Sequence, residues 1–297
     1  MAKILVVDDV RENVTLLRFQ LESEGYQVLD AGNGQQALAI ANEQSPDLIL
    51  LDVMMPGMTG LDVVKNLKQT QQLNKIPVIL VTANSDDESV VEGLDLGAYD
   101  YIIKPYNPTV MFARVRAALR EKERQDLLER WATTDPLTNI SNRRFFFSET
   151  EREFARAQRG SLMSLLLLDI DKFKQVNDEY GHIAGDQALI SLANVLKSSF
   201  RKVDIYGRFG GEEFIVCLPD TPLDTSVEVA ERLRQNIHKQ VIKSDKSDFH
   251  ISVSIGVTNY TPADQQLADM IKRADQALYR AKENGRNRVE TESPQAN

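Results

Sequence analysis

Arg208-Phe209-Gly210-Gly211-Glu212-Glu213-Phe214 reads as strand, tight turn, strand. Ile205, Phe209, Phe214, Ile215, Val216 and Leu218 supply strand-forming apolar residues, and Gly210-Gly211 is a hairpin signal. Two glycines remove Cβ atoms where backbone could approach a ligand closely. Two carboxylates follow at once. Strand alternation sends Glu212 and Glu213 to different sides unless the turn bends them together. Acidic oxygens beside such a turn suit a hard cation such as Mg²⁺, which prefers a few carboxylates plus substrate phosphates. Taken alone, the heptapeptide is better read as a surface hairpin with solvated glutamates.

A second acidic strand end changes that balance. Leu165-Leu166-Leu167-Leu168 is a continuous apolar run, as in a buried strand, and it stops at Asp169-Ile170-Asp171. Lys172, Phe173, Lys174, Asn177, His182, Gly185 and Asp186 follow. Strand-end aspartates with lysines and a glycine turn describe a metal-nucleotide site, where catalysis is mostly positioning and electrostatics. On these residues the segment from Asp135 to Val289 resembles the catalytic domain of GGDEF-type diguanylate cyclases, here in a Gly-Gly-Glu-Glu-Phe form. Its opening, Asp135-Pro-Leu-Thr-Asn-Ile-Ser-Asn-Arg-Arg144, is similar to the family's Asp-x-Leu-Thr-x-Leu-x-Asn-Arg, with Ile140 where leucine is usual.

The resemblance implies an α+β domain of the nucleotidyl-cyclase and polymerase-palm type. It also implies that two GTP molecules condense to cyclic di-GMP and pyrophosphate. By that resemblance Asp169, the carbonyl of Ile170 and Glu212 bind two Mg²⁺ or Mn²⁺ ions, with Glu213 contributing. Glu212 is the candidate base for the 3′-hydroxyl. Asn177 and Asp186 read the guanine edge, and His182 lies near the nucleoside. An aspartate accepts both hydrogen bonds from guanine N1–H and its 2-amino group, which adenine cannot supply, so Asp186 favours GTP. Lys172 and Phe173 lie where backbone amides cradle phosphates, and Lys174, Lys282 and Arg286 neutralise phosphate charge. Each domain holds one GTP, so activity requires a homodimer. Arg201-Lys-Val-Asp204 ends five residues before Gly210 and matches the family's inhibitory product site; Arg232 matches the arginine that crosses to a partner's site. Arginine can meet guanine and phosphate oxygens with two parallel bonds.

The first 107 residues alternate strand and helix, which predicts a doubly wound parallel α/β sheet of flavodoxin-like type. Asp8, Asp9, Asp52, Thr82 and Lys104 all fall at the carboxyl ends of predicted strands, where such sheets place their sites. Three carboxylates at one edge repel each other and attract a divalent cation. A carboxylate beside that cation can attack a phosphoryl donor and become an acyl phosphate. This set resembles the response-regulator receiver domain. The resemblance implies that Asp52 is phosphorylated by a cognate histidine kinase. It implies one Mg²⁺ bound by Asp9, Asp52 and the carbonyl of Met54, with Asp8 close by. Thr82 and Lys104 then sense the phosphoryl group, Tyr101 is the switch aromatic, and Lys104-Pro105 matches a peptide that is usually cis.

Residues 108–134 read as one helix joining the two domains, apolar at Val110, Met111, Phe112, Val115, Ala118 and Leu119, then strongly charged. A seam through Arg114, Ala117, Glu121, Arg124, Leu128 and Trp131 has three-four spacing, but half its members are charged. The expected organisation is a receiver over 1–107, a linker over 108–134, a cyclase over 135–290 and a disordered tail over 291–297. The 297 residues carry a formal net charge of −9, which argues against a DNA-binding output. The single cysteine, Cys217, lies in an apolar strand, and no disulfide within the chain is possible. Without an apolar run near 18 residues or a leader, a soluble cytoplasmic protein off the membrane is expected. The rival functional reading is a catalytically silent receptor that senses cyclic di-GMP through Arg201 and Asp204. The intact Gly210-Gly211-Glu212-Glu213 favours the enzyme.

Overall fold

The computed structural model describes residues 1–83 and 87–292. The chain divides into two compact units, Met1–Leu128 and Glu129–Asn297. The first holds β1 (Lys3–Val7), α1 (Arg11–Ser23), β2 (Gln27–Ala31), α2 (Gly34–Gln44), β3 (Leu48–Asp52), α3 (Gly60–Gln69), β4 (Val78–Thr82), α4 (Asp87–Asp95) and β5 (Asp100–Ile103). The expected start of the fourth helix at Asp86 lies outside the described residues. The five strands are parallel, in the order β2-β1-β3-β4-β5. β3 and β4 are buried along their whole length. Alternate residues of these strands feed two cores, Leu5, Ile49, Leu51 and Leu80 on one face and Ile4, Val6, Leu50 and Ile79 on the other. That two-sided burial is why the strands read as unbroken apolar runs.

Helix α5 (Pro108–Thr133) starts on the second of these cores, where Met111, Val115 and Ala118 are buried. Val110 stands half exposed. Further along, Lys122–Asp126 and Arg124–Glu121 pair within the helix, while Leu128 and Trp131 are exposed, Trp131 by 71 %.

The second unit continues with α6 (Arg143–Ala157), β6 (Met163–Ile170), α7 (Phe173–Tyr180), α8 (His182–Ser199), β7 (Ile205–Gly210), β8 (Glu213–Pro219), α9 (Leu223–His238), β9 (Val253–Asn259), α10 (Leu267–Glu283) and β10 (Val289–Thr291). Its sheet has the order β10-β9-β6-β8-β7, with antiparallel pairing around β6 and β10 parallel to β9. Leu166, Leu168, Phe214 and Val216 face one core with Leu189 and Leu192 of α8 and Leu233 of α9. Leu165, Leu167, Ile215 and Cys217 face another with Phe146 of α6 and Ala274 and Leu278 of α10. Burial pushes the Cys217 thiol well above its usual range. Among the described residues, no helix is long and apolar enough to cross a membrane.

Three expectations need correcting. His250 to Thr258 alternates and so reads as a half-buried strand, but every residue from Val253 to Thr258 is buried. The polar-looking positions face α10: Gly256 lies against its backbone, Ser254 donates to Asp171, and Thr258 bonds Arg273. The next helix after the strand ending at Asp169 reads from sequence as Asp186 to Phe200, which assigns no helix to the intervening stretch. That stretch forms α7, and α8 begins four residues earlier than expected, at His182. The disordered tail was expected from residue 291. Thr291 instead ends β10, Glu292 N–H donates to the Val257 carbonyl at 2.9 Å, and Arg280 pairs with Glu292. Residues 293–297 of that tail lie outside the described residues.

A Cβ on Gly256 would stand 2.0 Å from the Ala274 carbonyl oxygen and 2.4 Å from Leu278 N, both backbone atoms of α10. Gly256→Ala must therefore push α10 off β9. It is expected to destabilise the second unit by at least about 2 kcal/mol, read as a lowered urea midpoint. An unchanged midpoint would show that α10 can shift freely.

Candidate active site and receiver pocket

The hairpin turn is Gly211-Glu212, one residue later than the Gly210-Gly211 expected from sequence, because Gly210 still pairs with Glu213. Gly211 takes φ +52, as the first central residue of a two-residue hairpin turn of type II′ requires. The ladder slips between Arg208 and Gly210, so Phe209 is the bulged residue. Arg208 braces the turn. Its Nε donates to the Gly211 carbonyl at 2.9 Å, and its Nη1 reaches Asp135 at 3.1 Å. Asp135 also accepts from Thr138 N–H and Oγ1. Although burial works against its charge, these Thr138 and Arg208 bonds hold its carboxyl below the usual range. The Arg143 guanidinium lies 4.4 Å from the Phe209 ring centroid. Arg208 N–H donates to the Ser141 carbonyl, and Asn142 N–H to the Thr133 carbonyl at the end of α5. The opening motif thus forms the mount of the hairpin.

Glu213 is the direct cross-strand partner of Asp169. Both carboxyls are held above the usual range, chiefly by burial. Lys282 opposes that shift at Asp169, while neighbouring carboxylates add to it. Ile170 N–H points to the Glu212 carbonyl at 3.4 Å. Like charges directly opposite one another destabilise a sheet unless a cation answers them. Here Lys282, in the last turn of α10, sets Nζ 2.9 Å from Asp169 Oδ2. Sequence placed Lys282 on phosphate; in this structure it stands on the aspartate. Asp169, Glu212 and Glu213 are hard-oxygen donors of the kind Mg²⁺ or Mn²⁺ prefers, with Asp169 and Glu213 directly opposed, although their ligand atoms are not gathered within 4.8 Å of one another as those of Asp8, Asp9 and Asp52 are.

The other expected residues flank this centre. Lys172 caps α7 in a left-handed conformation (φ 54), and Phe173 packs on the core. Lys174 is exposed. Asn177 sits on Gly185, where a Cβ would lie 1.9 Å from its Oδ1, and so stands beside exposed Asp186. His182 is exposed at the start of α8. Arg286 is exposed and shares a cleft of about 430 Å³ with Lys172.

Arg201 and Asp204 close on each other just before β7. Asp204 Oδ1 lies 2.9 Å from Arg201 Nη2, and Oδ2 accepts the Arg201 backbone N–H at 2.8 Å. The arginine is exposed and the aspartate buried. Arg232 is exposed on α9.

In the first unit Asp8, Asp9 and Asp52 bring ligand oxygens within 4.8 Å of one another, which fits one divalent cation. Lys104 Nζ stands 2.8 Å from Asp8 and 3.3 Å from Asp52. Burial raises the Asp52 carboxyl above its usual range; Lys104 opposes the shift and Asp8 adds to it. Thr82 is buried, the Met54 side chain is exposed, and Tyr101 is partly buried beneath the Arg114 guanidinium, 5.7 Å from its centroid. Lys104-Pro105 is cis, as the receiver resemblance implies.

Sequence reading gave no role to four residues that the structure makes central. Asp171 is buried and its carboxylate accepts three hydrogen bonds, from Ser252 Oγ, Ser254 Oγ and Asn287 N–H, although only its position two beyond Asp169 hinted at a shared face. Asp135 and Arg208 were in quoted motifs, but nothing in the sequence joins them. Asn13, whose amide reaches both Asp8 oxygens at 3.0 Å, orients the receiver cluster.

Comparison with known proteins agrees with this geometry. The family model described as "Diguanylate cyclase, GGDEF domain" matches residues 132–288, and that of the "Response regulator receiver domain" matches residues 4–116. The response regulator PleD of Caulobacter vibrioides is 28% identical, over 97% of this chain and 98% of its own. The diguanylate cyclase DgcM of Escherichia coli is 41% identical over 63% of this chain and 45% of its own. The crystal structure of the GGDEF domain of DgcB from Caulobacter crescentus in complex with c-di-GMP superposes with a TM-score of 0.52 at 36% identity. It covers 54% of this chain and 95% of that one. With its acidic hairpin mounted on the opening motif and a receiver ahead of it, the chain belongs to the GGDEF diguanylate cyclase family, joined to a response-regulator receiver domain.

Proposed function

We propose that this chain is a phosphorylation-regulated diguanylate cyclase that condenses two GTP molecules as a homodimer and is inhibited by its product. The observation that carries the reading is the opposed pair Asp169–Glu213 beside the Gly211-Glu212 turn. A donor set of that kind would hold two Mg²⁺ or Mn²⁺ ions through Asp169, the Ile170 carbonyl, Glu212 and Glu213. When bound, such ions would supply positive charge against that developing on the α-phosphate.

The chain's own residues do the rest. Asn177 and Asp186 accept and donate along the guanine edge, and His182 borders the nucleoside. Lys172, Phe173, Lys174, Lys282 and Arg286 meet the triphosphate, while Gly210 and Gly211 let the chain approach it. Lys282 exchanges Asp169 for phosphate as the nucleotide enters. Glu212 takes the proton of the 3′-hydroxyl, which attacks the α-phosphorus of the partner's GTP; pyrophosphate leaves, and the step is repeated once. One domain presents one nucleotide, so two must face each other.

In the receiver, Asp52 takes the phosphoryl group from the kinase, and Asp9, Asp52 and the Met54 carbonyl, next to Asp8, would hold one Mg²⁺ that would offset its charge. Thr82 and Lys104 bond the new oxygens, and Tyr101 follows. The gain is a shift in dimer population or geometry. Arg201 and Asp204, with Arg232 from a partner, bind cyclic di-GMP. In that event Arg201 and Asp204 trade their mutual ion pair for guanine and phosphate.

With GTP and Mg²⁺, nucleotide chromatography is expected to show cyclic di-GMP, faster with beryllofluoride, together with more dimer by light scattering. Asp52→Asn should lose the acceleration and keep the basal rate. Equal rates with and without beryllofluoride would leave the enzyme and remove the switch. Glu212→Gln is expected to lower turnover by about 10²-fold or more. No product from the parent chain, with cyclic di-GMP binding that Arg201→Ala abolishes, would favour the silent receptor.

Arg201→Ala should synthesise product at the parental initial rate and run on past the concentration that stops the parent. Equal inhibition of both would remove the product site from this arginine.

A further inference from the structure

The turn after α10 is held in an unfavourable backbone conformation. Gly285, Arg286 and Asn287 take φ +110, +62 and +46 in succession. The left-handed region is disfavoured for the two residues that carry side chains, and it persists only where neighbours over-determine it. Two partly buried contacts do so here. Asn287 N–H donates to Asp171 Oδ2 at 3.0 Å, and Arg234 Nη1 donates to Asn287 Oδ1 at 2.6 Å. Asp171 is itself fixed from β9. Ser252 Oγ and Ser254 Oγ each donate to it at 2.6 Å, and its own N–H donates to the Ser252 carbonyl.

The two aspartates at the end of β6 therefore grip the same segment at two points. Asp169 takes Lys282, and Asp171 takes Asn287, five residues on. Between them stands Arg286, whose side chain lines the cleft shared with Lys172. The Asp169 grip is released if Lys282 moves to phosphate. The Asp171 grip uses a backbone N–H and needs no such release.

The geometry points to Asp171 as a positioning residue: it fixes the left-handed turn that aims Arg286 at the triphosphate, and it acts on nucleotide affinity through that arginine. This rests on the reading of Arg286 as a phosphate contact. A long cation aimed by a rigid turn loses less freedom on binding than one on a loose turn.

The test is a double-mutant cycle on the full chain. It measures affinity for guanosine 5′-(α-thio)triphosphate with Mg²⁺ by calorimetry, and KM and kcat for GTP. Asp171→Asn is expected to weaken analogue binding and raise KM by about tenfold, with kcat within about threefold. In an Arg286→Ala background the same change is expected to do nothing further. Fold-changes that simply multiply, or a loss confined to kcat, would overturn the role of Asp171 while keeping Arg286 on phosphate. Parental affinity in Arg286→Ala would overturn both. If Asp171→Asn does not fold, a second variant tests the same carboxylate. In its place the pair Ser252→Ala and Ser254→Ala, which strips both hydroxyls that orient the Asp171 carboxylate, must weaken analogue binding and show the same non-additivity with Arg286→Ala; parental affinity in that pair would reject the proposal.

Discussion

Asp169 and Glu213 face each other across β6 and β8, and the second unit is built around that opposition. At a cross-strand spacing of about 5 Å and an effective dielectric near 20, two such charges repel by about 3 kcal/mol. A sheet would not place them there for its own stability. Burial raises both carboxyls further by penalising their ionised forms, so keeping both charged demands a positive partner. Lys282 answers half of it from α10. The remainder is what makes the position fit to receive a divalent cation and a nucleotide.

The position of those charges depends on supports that carry no chemistry. Alternation along β6 puts Leu165, Leu167 and Asp169 on one face, so the same strand that fills the core under α10 also delivers the carboxylate to its edge. Gly256 lets α10 lie close enough for Lys282 to reach it. On the other side, Arg208 ties the turn carbonyl of Gly211 to Asp135, and Arg143 stacks on the bulged Phe209. Hydrogen bonds continue from this mount through Asn142 to Thr133, the last residue of α5. The end of the connecting helix and the acidic turn therefore belong to one bonded frame within the second unit. β7 joins that frame to the Arg201–Asp204 pair at its opposite end.

The receiver meets the same electrostatic problem with a different arrangement. Asp8, Asp9 and Asp52 crowd one sheet edge, and Lys104 from the end of β5 bridges two of them. Burial works against the lysine's charge, yet its bonds to Asp8 and Asp52 hold it above its usual range. In both units a resident lysine compensates a strand-end aspartate. In both, the compensation is partial, which leaves room for further positive charge.

Residue order alone predicted the parallel sheet of the first unit and the acidic edge of its strands, while the fold of the second unit was expected from motif resemblance. A parallel sheet buried on both faces needs unbroken apolar strands, and its site must lie at their carboxyl ends, so Asp8, Asp52, Thr82 and Lys104 were legible by position alone. In the second unit it was motif resemblance, not spacing, that marked Asp169, Glu212, Asn177 and Asp186. Tertiary structure decided what local pattern cannot hold. Whether β9 is half or wholly buried depends on α10, which packs over Ser254, Gly256 and Thr258. Whether Asp169 meets Glu213 depends on the register of a hairpin whose turn lies one residue later than Gly210-Gly211 suggests. That Asp171 holds Asn287, 116 positions away, and that Arg208 holds Asp135, 73 away, follows only from the folded path of the chain. Sequence fixes which groups are available along a strand; partners that distant are chosen by sheet order and helix packing, where the free energy comes from the whole core rather than from neighbours in the chain.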